Sequence, residues 1–100
     1  MKIPKEIKIA GFVWTIEKNN DIANEGSCYG SSHMASQKIF LDPNVSAAKT
    51  EQTLIHEILH AIWWSYGLKN SELGDKKEEA IVDSMSQGLY QVLNDNDLLK

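Results

Sequence analysis

The amino-acid sequence predicts an α+β domain in which a small N-terminal antiparallel sheet packs on two long helices. Three observations predict it: short segments rich in β-branched and aromatic residues come first, two long segments of helical periodicity come last, and turn residues separate them. Strands followed by helices, rather than strands alternating with helices, are typical of this class. Because 100 residues support one modest core, we expect a single domain over residues 1–100.

The N-terminal segment predicts a β-hairpin. Ile7–Ile9 and Phe12–Ile16 have the composition of strands, and Ala10-Gly11 between them allows a tight turn. The polar segment Asn19–Gly26 that follows is predicted to be a loop.

Two further strands are predicted before the helices. Ser27–Met34 consists mainly of small residues, so it predicts a strand whose register is weakly specified. Lys38–Asp42 is more apolar, and Pro43 ends it because proline cannot donate a hydrogen bond to a neighbouring strand.

The first long helix is predicted to begin at Ser46 or Thr50 and to end at Tyr66, with Gly67 in the left-handed conformation that closes it. Successive residues of a helix lie about 100° apart, and on this spacing its apolar side chains cover most of the circumference. We therefore expect this helix to be buried on nearly every side.

The second long helix is predicted to start at Asp75, with Glu78 as the acidic partner of a capping box, and to run to about Leu93. One stripe of apolar residues follows the helical period, and we expect it to pack on the first helix. The stripe consists of Ile81, Val82, Met85, Leu89, Val92 and Leu93.

Charge and composition exclude several classes of partner. The net charge of −4 comes from 10 basic and 14 acidic residues without a basic cluster, so we expect no nucleic-acid partner. No apolar run approaches the length that spans a bilayer, and the N-terminus does not resemble a secretory signal. Because Cys28 is the only cysteine, no intramolecular disulfide can form; we expect a cytoplasmic protein in which this thiol is structural.

The first long helix contains the pattern His56-Glu57-Ile58-Leu59-His60. The two histidines are four residues apart, so they lie on one face about 6 Å from each other along the axis and can hold one metal ion. Glu57 lies about 100° round from His56, a position that suits a base beside a metal-bound water better than a ligand. Neutral imidazoles suit zinc, and a catalytic zinc keeps one position open for water, so the pattern predicts one Zn²⁺ with Glu57 as the catalytic residue.

A third protein ligand is needed to complete such a site. The acidic and histidine residues outside the helix motif are candidates, and Glu78 is already assigned to the helix cap. Glu79 and Asp83 are four apart on one face, so one can bind the metal while the other holds a ligand histidine by its outer nitrogen. The full set of candidates is His33, Glu72, Glu78, Glu79 and Asp83.

The motif HEILH, followed nineteen residues after its second histidine by Glu79-Ala80-Ile81-Val82-Asp83, resembles the gluzincin metallopeptidases. The resemblance extends over about residues 7–93 and includes the minimal gluzincins and the small metallopeptidase domains of phages and mobile elements. It implies a zincin-like fold, zinc ligands His56, His60 and Glu79, and Glu57 as general base and acid. It also implies that Asp83 is the partner of His56.

One part of the family's site has no clear counterpart in this sequence. Larger gluzincins carry a separate domain whose histidine or tyrosine stabilises the oxyanion. Tyr90 lies eleven residues beyond Glu79, which is about 16 Å along a helix and too far to serve. The remaining candidates are Tyr29, His33 and Tyr66.

The resemblance also implies that an extended peptide substrate pairs with the edge strand before the active-site helix, which is β-augmentation. Within the candidate strand Ser27–Met34, the expected substrate-binding residues are Tyr29, Gly30 and Ser31. Trp64 lies on the histidine-glutamate side of its helix and is a candidate wall of the binding pocket.

Two functions are consistent with these features. The first is a zinc-dependent endopeptidase, and the alternative is a catalytically silent or latent zinc-binding module that interacts with other phage or mobile-element proteins. Glu57 favours the enzyme, because a purely structural zinc site does not need a base. In a latent enzyme, the segment Asn94–Lys100 would block the cleft.

Overall fold

A computed structural model describes residues 1–21 and 29–99, and it confirms the α+β class. Four strands are followed by two long helices joined by a short 3₁₀ helix. The strands are β1 (Glu6–Ile9), β2 (Phe12–Lys18), β3 (Gly30–His33) and β4 (Lys38–Leu41), and the helices are α1 (Ala47–Ser65), the 3₁₀ turn Leu68–Asn70 and α2 (Gly74–Asp95).

The predicted hairpin is confirmed. β1 and β2 pair antiparallel, with Ile9 opposite Phe12. Ala10 and Gly11 between them have φ of 51° and 83°, so both residues of the tight turn are left-handed, as a two-residue hairpin loop requires. Most of the predicted loop Asn19–Gly26, the start of the predicted strand at Ser27, and Cys28 lie outside the described residues.

The sheet is mixed, so the expectation of a wholly antiparallel sheet is wrong for one pair of strands. The strand order is β1-β2-β4-β3, and β2 runs parallel to β4. β3 forms an antiparallel pair with β4, and residues 19–37 provide the long connection that a parallel pair needs. β3 consequently lies at the edge of the sheet.

The main core lies between one face of the sheet and α1. Trp14, Ile39 and Leu41 of the sheet are almost completely buried, and Leu54 and Ala61 of α1 pack with them. This burial fixes the rotation of α1, because its sheet-facing side is apolar. The histidines of α1 are thereby directed away from the sheet, toward α2.

Both ends of α1 are formed as predicted from the sequence. The hydroxyl of Ser46 accepts a hydrogen bond from the amide of Lys49 at 3.2 Å, which identifies Ser46, and not Thr50, as the N-cap. At the other end the chain leaves the helix through Gly67, whose φ is 86°.

The predicted capping box of α2 is wrong. The helix begins at Gly74, one residue before Asp75, and no side chain caps it. Asp75 and Glu78 instead both accept a hydrogen bond from the ammonium group of Lys69 in the 3₁₀ turn, at 2.7 and 3.2 Å. The link between the helices is thus held by side chains, and the carboxylate of Glu78 is directed toward α1.

The apolar stripe of α2 is only partly buried. Val82 is buried and Leu93 is half-buried, whereas Ile81, Met85, Leu89 and Val92 are exposed. The expectation that the whole stripe packs on α1 is therefore wrong. α2 contacts α1 through the face of Glu78, Val82 and Ser86. The centre of this face lies about 65° round the helix from the centre of the exposed stripe.

Across the described residues, no helix combines the length and the apolar character needed to cross a membrane.

Candidate metal centre

The packing of α2 on α1 brings together the side chains of the predicted metal site. His56 and His60 lie one turn apart on α1, and Glu79 approaches both from the first turns of α2. Among the described residues, these three form the one group of His, Cys, Asp and Glu side chains whose ligand atoms converge, all within 4.8 Å of one another. They are the three residues that the gluzincin resemblance implies as ligands.

The two histidines and the two carboxylate oxygens of Glu79 make short contacts with one another. The Nε2 atoms of His56 and His60 are 3.1 Å apart. One carboxylate oxygen of Glu79 is 3.2 Å from His56 Nε2, and the other is 3.1 Å from His60 Nε2. Zinc-ligand bonds of about 2.0–2.1 Å in a tetrahedron give ligand-ligand distances of about 3.3 Å. The contacts between neighbouring atoms are therefore close to the spacing of zinc ligands.

The outer nitrogens of both histidines contact carboxylates. Nδ1 of His56 lies 3.1 Å from Asp83, and Nδ1 of His60 lies 2.6 Å from Glu78. Glu78 and Nδ1 of His60 have the geometry of a hydrogen bond, so an ionised Glu78 accepts the hydrogen of that nitrogen. Asp83 is within ion-pair distance of Nδ1 of His56, and the hydroxyl of Ser86 is the hydrogen-bond partner of the same nitrogen at 3.5 Å. A neutral ring with its hydrogen on Nδ1 leaves Nε2 unprotonated, which is the form that binds a metal.

The inner nitrogens of the two histidines and the two oxygens of Glu79 lie 3.1–3.2 Å from one another. Wherever no hydrogen lies between two of these atoms, their lone pairs face each other, which is unfavourable unless a positive charge lies there. A shared proton satisfies one contact, whereas a divalent cation satisfies all of them. The donor set of two imidazoles and one carboxylate fits zinc and leaves a fourth position for water or substrate.

Glu57 lies beside the ligands without belonging to them. Its carboxylate is buried, and its Oε2 is 4.0 Å from Nε2 of His56. The hydroxyl of Ser32 on β3 donates a hydrogen bond to Oε1 at 2.7 Å, which fixes the orientation of the group. Burial raises the pKa of Glu57 above the ordinary value of a glutamate, while the bond from Ser32 and the nearby histidines oppose the rise. A carboxyl group with a raised pKa suits both acceptance and return of a proton near neutral pH.

Glu78 has a role that its predicted place in a capping box does not include. Its buried carboxylate accepts a hydrogen bond from His60 with one oxygen and from Lys69 with the other. Lys69 in turn contacts Asp75. This chain of contacts runs from the 3₁₀ turn to His60, so the start of α2 holds that side chain in place.

Of the three candidate ligands, His56 and Glu79 line a cleft of about 450 Å³ between α1, α2 and the start of β3, and His60 does not. Lys49 lies two turns before His56 on the same side of α1, and its ammonium group sits 4.7 Å from the centre of the Tyr29 ring. The residues that line the cleft are Tyr29, Gly30, Lys49, Gln52, Thr53, His56, Glu57, Glu79, Asp83, Ser86 and Gln87.

Of the three expected substrate-binding residues, Tyr29 and Gly30 line the cleft and Ser31 does not. Side chains alternate along a strand, and the hydroxyl of Ser31 contacts His33 on the face away from α1. Gly30 lies so close to α1 that a Cβ there would be 2.7 Å from Thr53 and 3.3 Å from the side chain of Glu57. Only glycine allows β3 to approach the base this closely.

Several other candidates lie outside the cleft. His33 packs against Phe40, Tyr66 lines a separate groove beside the β1-β2 hairpin, and Tyr90 donates a hydrogen bond to Glu51. Tyr29 is therefore the one tyrosine or histidine candidate for the oxyanion that lines the cleft. Neither Glu72, nor Trp64, nor any of residues 94–99 lines it, so the described part of the C-terminal segment does not block the cleft.

The sequence pattern does not identify three residues of this site, namely Ser32, Lys49 and the carboxylate of Glu78 as a partner of His60. The sequence could have identified Lys49, because it precedes His56 by seven residues. Seven residues are about two helical turns, so both side chains lie on one face of the helix. It could have identified Glu78 as well, since this residue directly precedes the proposed ligand. It could not have identified Ser32, because the contact of Ser32 with Glu57 depends on how the sheet packs on α1.

Comparison with protein families gives no match, and searches of curated proteins and of solved structures find no similar protein either.

Proposed function

We propose that this chain is a zinc-dependent endopeptidase of the gluzincin type, with His56, His60 and Glu79 as ligands. The observation that carries the proposal is the convergence of the ligand atoms of His56, His60 and Glu79 with the buried Glu57 beside them. The glutamate-to-aspartate spacing that resembles gluzincins supports it as well, since Asp83 contacts the outer nitrogen of His56.

Each residue of the site has a defined part in peptide hydrolysis. Zinc, when bound, would supply the Lewis acidity that lowers the pKa of water and polarises a peptide carbonyl. Glu57 accepts the proton of the attacking water and delivers it to the leaving amine. Asp83 and Glu78 keep the two histidines in the tautomer that leaves Nε2 free, and Ser32 holds the carboxylate of Glu57 in place.

The cleft and the adjacent edge strand favour an extended peptide as substrate. β3 is at the end of the strand order, and in the described part of the chain it pairs on one side only. A peptide added along its outer edge would pass Gly30 and reach the metal ligands, which is recognition by β-augmentation. We propose Tyr29 and Gly30 as substrate contacts and Tyr29 as the oxyanion donor.

Metal content and cleavage together test the proposal. Purified protein should bind one equivalent of zinc by elemental analysis and should cleave members of a peptide library detected by mass spectrometry. Glu57→Gln should retain the zinc and lose at least about 100-fold in cleavage rate, because it removes the general base and not a ligand. Glu72→Gln, an exposed site outside the cleft, is the matched control and should change neither property.

The alternative function is a zinc-binding module without catalysis. It predicts one bound zinc, no cleavage of any peptide in the library, and no effect of Glu57→Gln beyond stability. Protein without stoichiometric metal would exclude both functions.

A further inference from the structure

The outward face of α2 carries an apolar surface that the described part of the molecule leaves uncovered. Ile81, Met85, Leu89 and Val92 recur at helical spacing and are 41%, 60%, 40% and 47% exposed. Met85 lies about 120–160° round the helix from Glu79 and Asp83. The surface is therefore separate from the metal cleft.

Gly88 lies midway along this face at one of its edges, about 20° round the helix from Ile81, 40° from Val92 and 60° from Met85. Glycine is among the least favourable residues inside a helix, and it is normally retained there where something must approach the backbone closely. A Cβ at Gly88 would have nothing within 4 Å, so packing inside the chain does not explain the glycine. Its position between Met85 and Val92 makes it a shallow depression in an exposed apolar ridge.

The two ends of the edge on which Gly88 lies carry opposite charges. Lys77 and Asp95 project from one side of α2, because eighteen residues are five full turns. Both side chains are exposed, and no carboxylate of the described residues lies within ion-pair distance of Lys77. The positive end, the central depression and the negative end are thus aligned along the helix.

We propose that two copies of this chain pair through α2, with the helices antiparallel and a two-fold axis near the level of Ser86 and Gln87. A residue of one copy then faces the residue of the other copy whose number brings the sum of the two to about 173. Met85 fits over Gly88 of the second copy, and Ile81 packs against Val92.

The same arrangement places Lys77 beside Asp95 at both ends of the interface. An interface of this kind must be complementary to itself, which is the property that this face has. The charge pattern favours a second copy as the occupant, because antiparallel pairing places each Lys77 beside an Asp95, whose carboxylate accepts a hydrogen bond from Gln91 within its own chain. The metal cleft lies on another side of α2 and stays open in the dimer.

The area available predicts a reversible dimer. α2 is about 33 Å long, and one pair of helices offers less contact than the roughly 800 Å² per partner of a standard stable interface. We therefore expect dissociation on dilution.

Charge reversal tests the antiparallel geometry. In sedimentation velocity over a concentration series, the wild-type protein should change from monomer to dimer as concentration rises. Lys77→Glu and Asp95→Lys should each weaken the dimer at least about 10-fold, because each places like charges opposite one another. The double variant Lys77→Glu/Asp95→Lys should restore it. Lys76→Glu, which makes the same change in net charge on another side of α2, should leave association unchanged.

The central depression provides a second test. Gly88→Leu should abolish the dimer while raising the melting temperature of the dilute monomer, since leucine is the better helix former. This combination distinguishes a lost interface from a misfolded variant. A wild-type protein that stays monomeric at every soluble concentration overturns the proposal and leaves the face to a different partner. A double variant that remains as weak as the single ones overturns the antiparallel pairing.

Discussion

At the scale of single residues, the site depends on which of the four ring nitrogens of His56 and His60 carry a hydrogen. Glu78 is hydrogen-bonded to the outer nitrogen of His60, and Asp83 lies 3.1 Å from that of His56, so these carboxylates favour the tautomers in which the inner nitrogens are lone pairs. These lone pairs face Glu79, which has no hydrogen to offer either. The same residues arranged with the inner nitrogens protonated would donate to Glu79 and would need no metal.

Substitution of the two neighbouring glutamates separates a ligand from a supporting residue. Glu79→Gln removes a charged ligand, and we expect stoichiometric zinc to be lost. Glu78→Gln keeps an acceptor for His60 but removes the charge that Lys69 also contacts, so we expect zinc affinity to fall about 10- to 100-fold.

Competition with a zinc-binding dye measures both affinities. The sequence alone assigns Glu78 to a helix cap and predicts that its substitution leaves the metal unaffected. An unchanged affinity in Glu78→Gln would therefore contradict the role that the structure gives this residue.

In the proposed mechanism, Ser32 acts on catalysis through Glu57. Ser32→Ala removes the hydrogen bond that orients the carboxylate, and we expect kcat to fall about 10-fold with little change in KM and full retention of zinc. Ser32→Thr keeps the hydroxyl and should recover most of the rate. Steady-state kinetics on a cleaved library peptide measures the effects on kcat and KM separately. An equal fall of kcat in both variants would indicate loss of packing rather than of the hydrogen bond.

At the scale of elements, the site is positioned by two close approaches. The sheet packs on α1 through β3, and α2 packs on α1 through its first turns, where Lys69 ties the 3₁₀ turn to Glu78. The first approach orients the base, and the second brings Glu79 to the histidines. Neither depends on the exposed half of α2.

Gly30 controls the first of these approaches. Gly30→Ala places a Cβ 2.7 Å from Thr53 and 3.0 Å from the carbonyl oxygen of Phe40, so β3 must move away from α1. We expect a loss of about 1–3 kcal/mol in the free energy of unfolding, measured with urea.

Gly88→Ala is the matched control for this substitution. A Cβ at that position meets nothing, and we expect dilute protein to gain about 0.5–1 kcal/mol from the better helix former. Equal stability losses in the two variants would mean that the close approach at Gly30 is not what matters.

At the scale of the whole molecule, the proposed metal joins the two helices. Its ligands come from α1 and α2, which otherwise share a narrow buried face, and four carboxylates surround the site in a chain of net charge −4. A bound cation would offset the repulsion among these four carboxylates, and it would link α2 to α1, which packs on the sheet. The carboxylates belong to Glu57, Glu78, Glu79 and Asp83.

Removal of the metal should therefore destabilise the whole domain. Zinc at 100 times its dissociation constant stabilises the folded state by about 2.7 kcal/mol, which for a domain of this size corresponds to roughly 10–20 °C in melting temperature. Thermal unfolding with and without a chelator measures the effect, and re-addition of zinc should reverse it. A melting temperature that does not respond to chelator would contradict the proposed link between the helices.

The sequence by itself determined the elements and the ligand-bearing helix. Local rules were sufficient for the hairpin turn at Ala10-Gly11, for the cap at Ser46 and for the glycine that ends α1, because each depends on neighbours within a few residues. The spacing of His56 and His60 on one face follows from helical geometry alone.

Only the tertiary structure decided how distant segments meet. The parallel pairing of β2 with β4, the partnership of Glu78 with His60, and the contact of Ser32 with Glu57 each join residues far apart in the chain. The local sequence pattern predicted Glu78 as part of a helix cap. That prediction is wrong because a carboxylate accepts hydrogen bonds from whichever donors the packing brings near, and here these are His60 and Lys69. The exposed face of α2 was also wrongly expected to be buried, for a similar reason. Apolar periodicity indicates a helix face that can be buried, but it does not indicate which partner buries it.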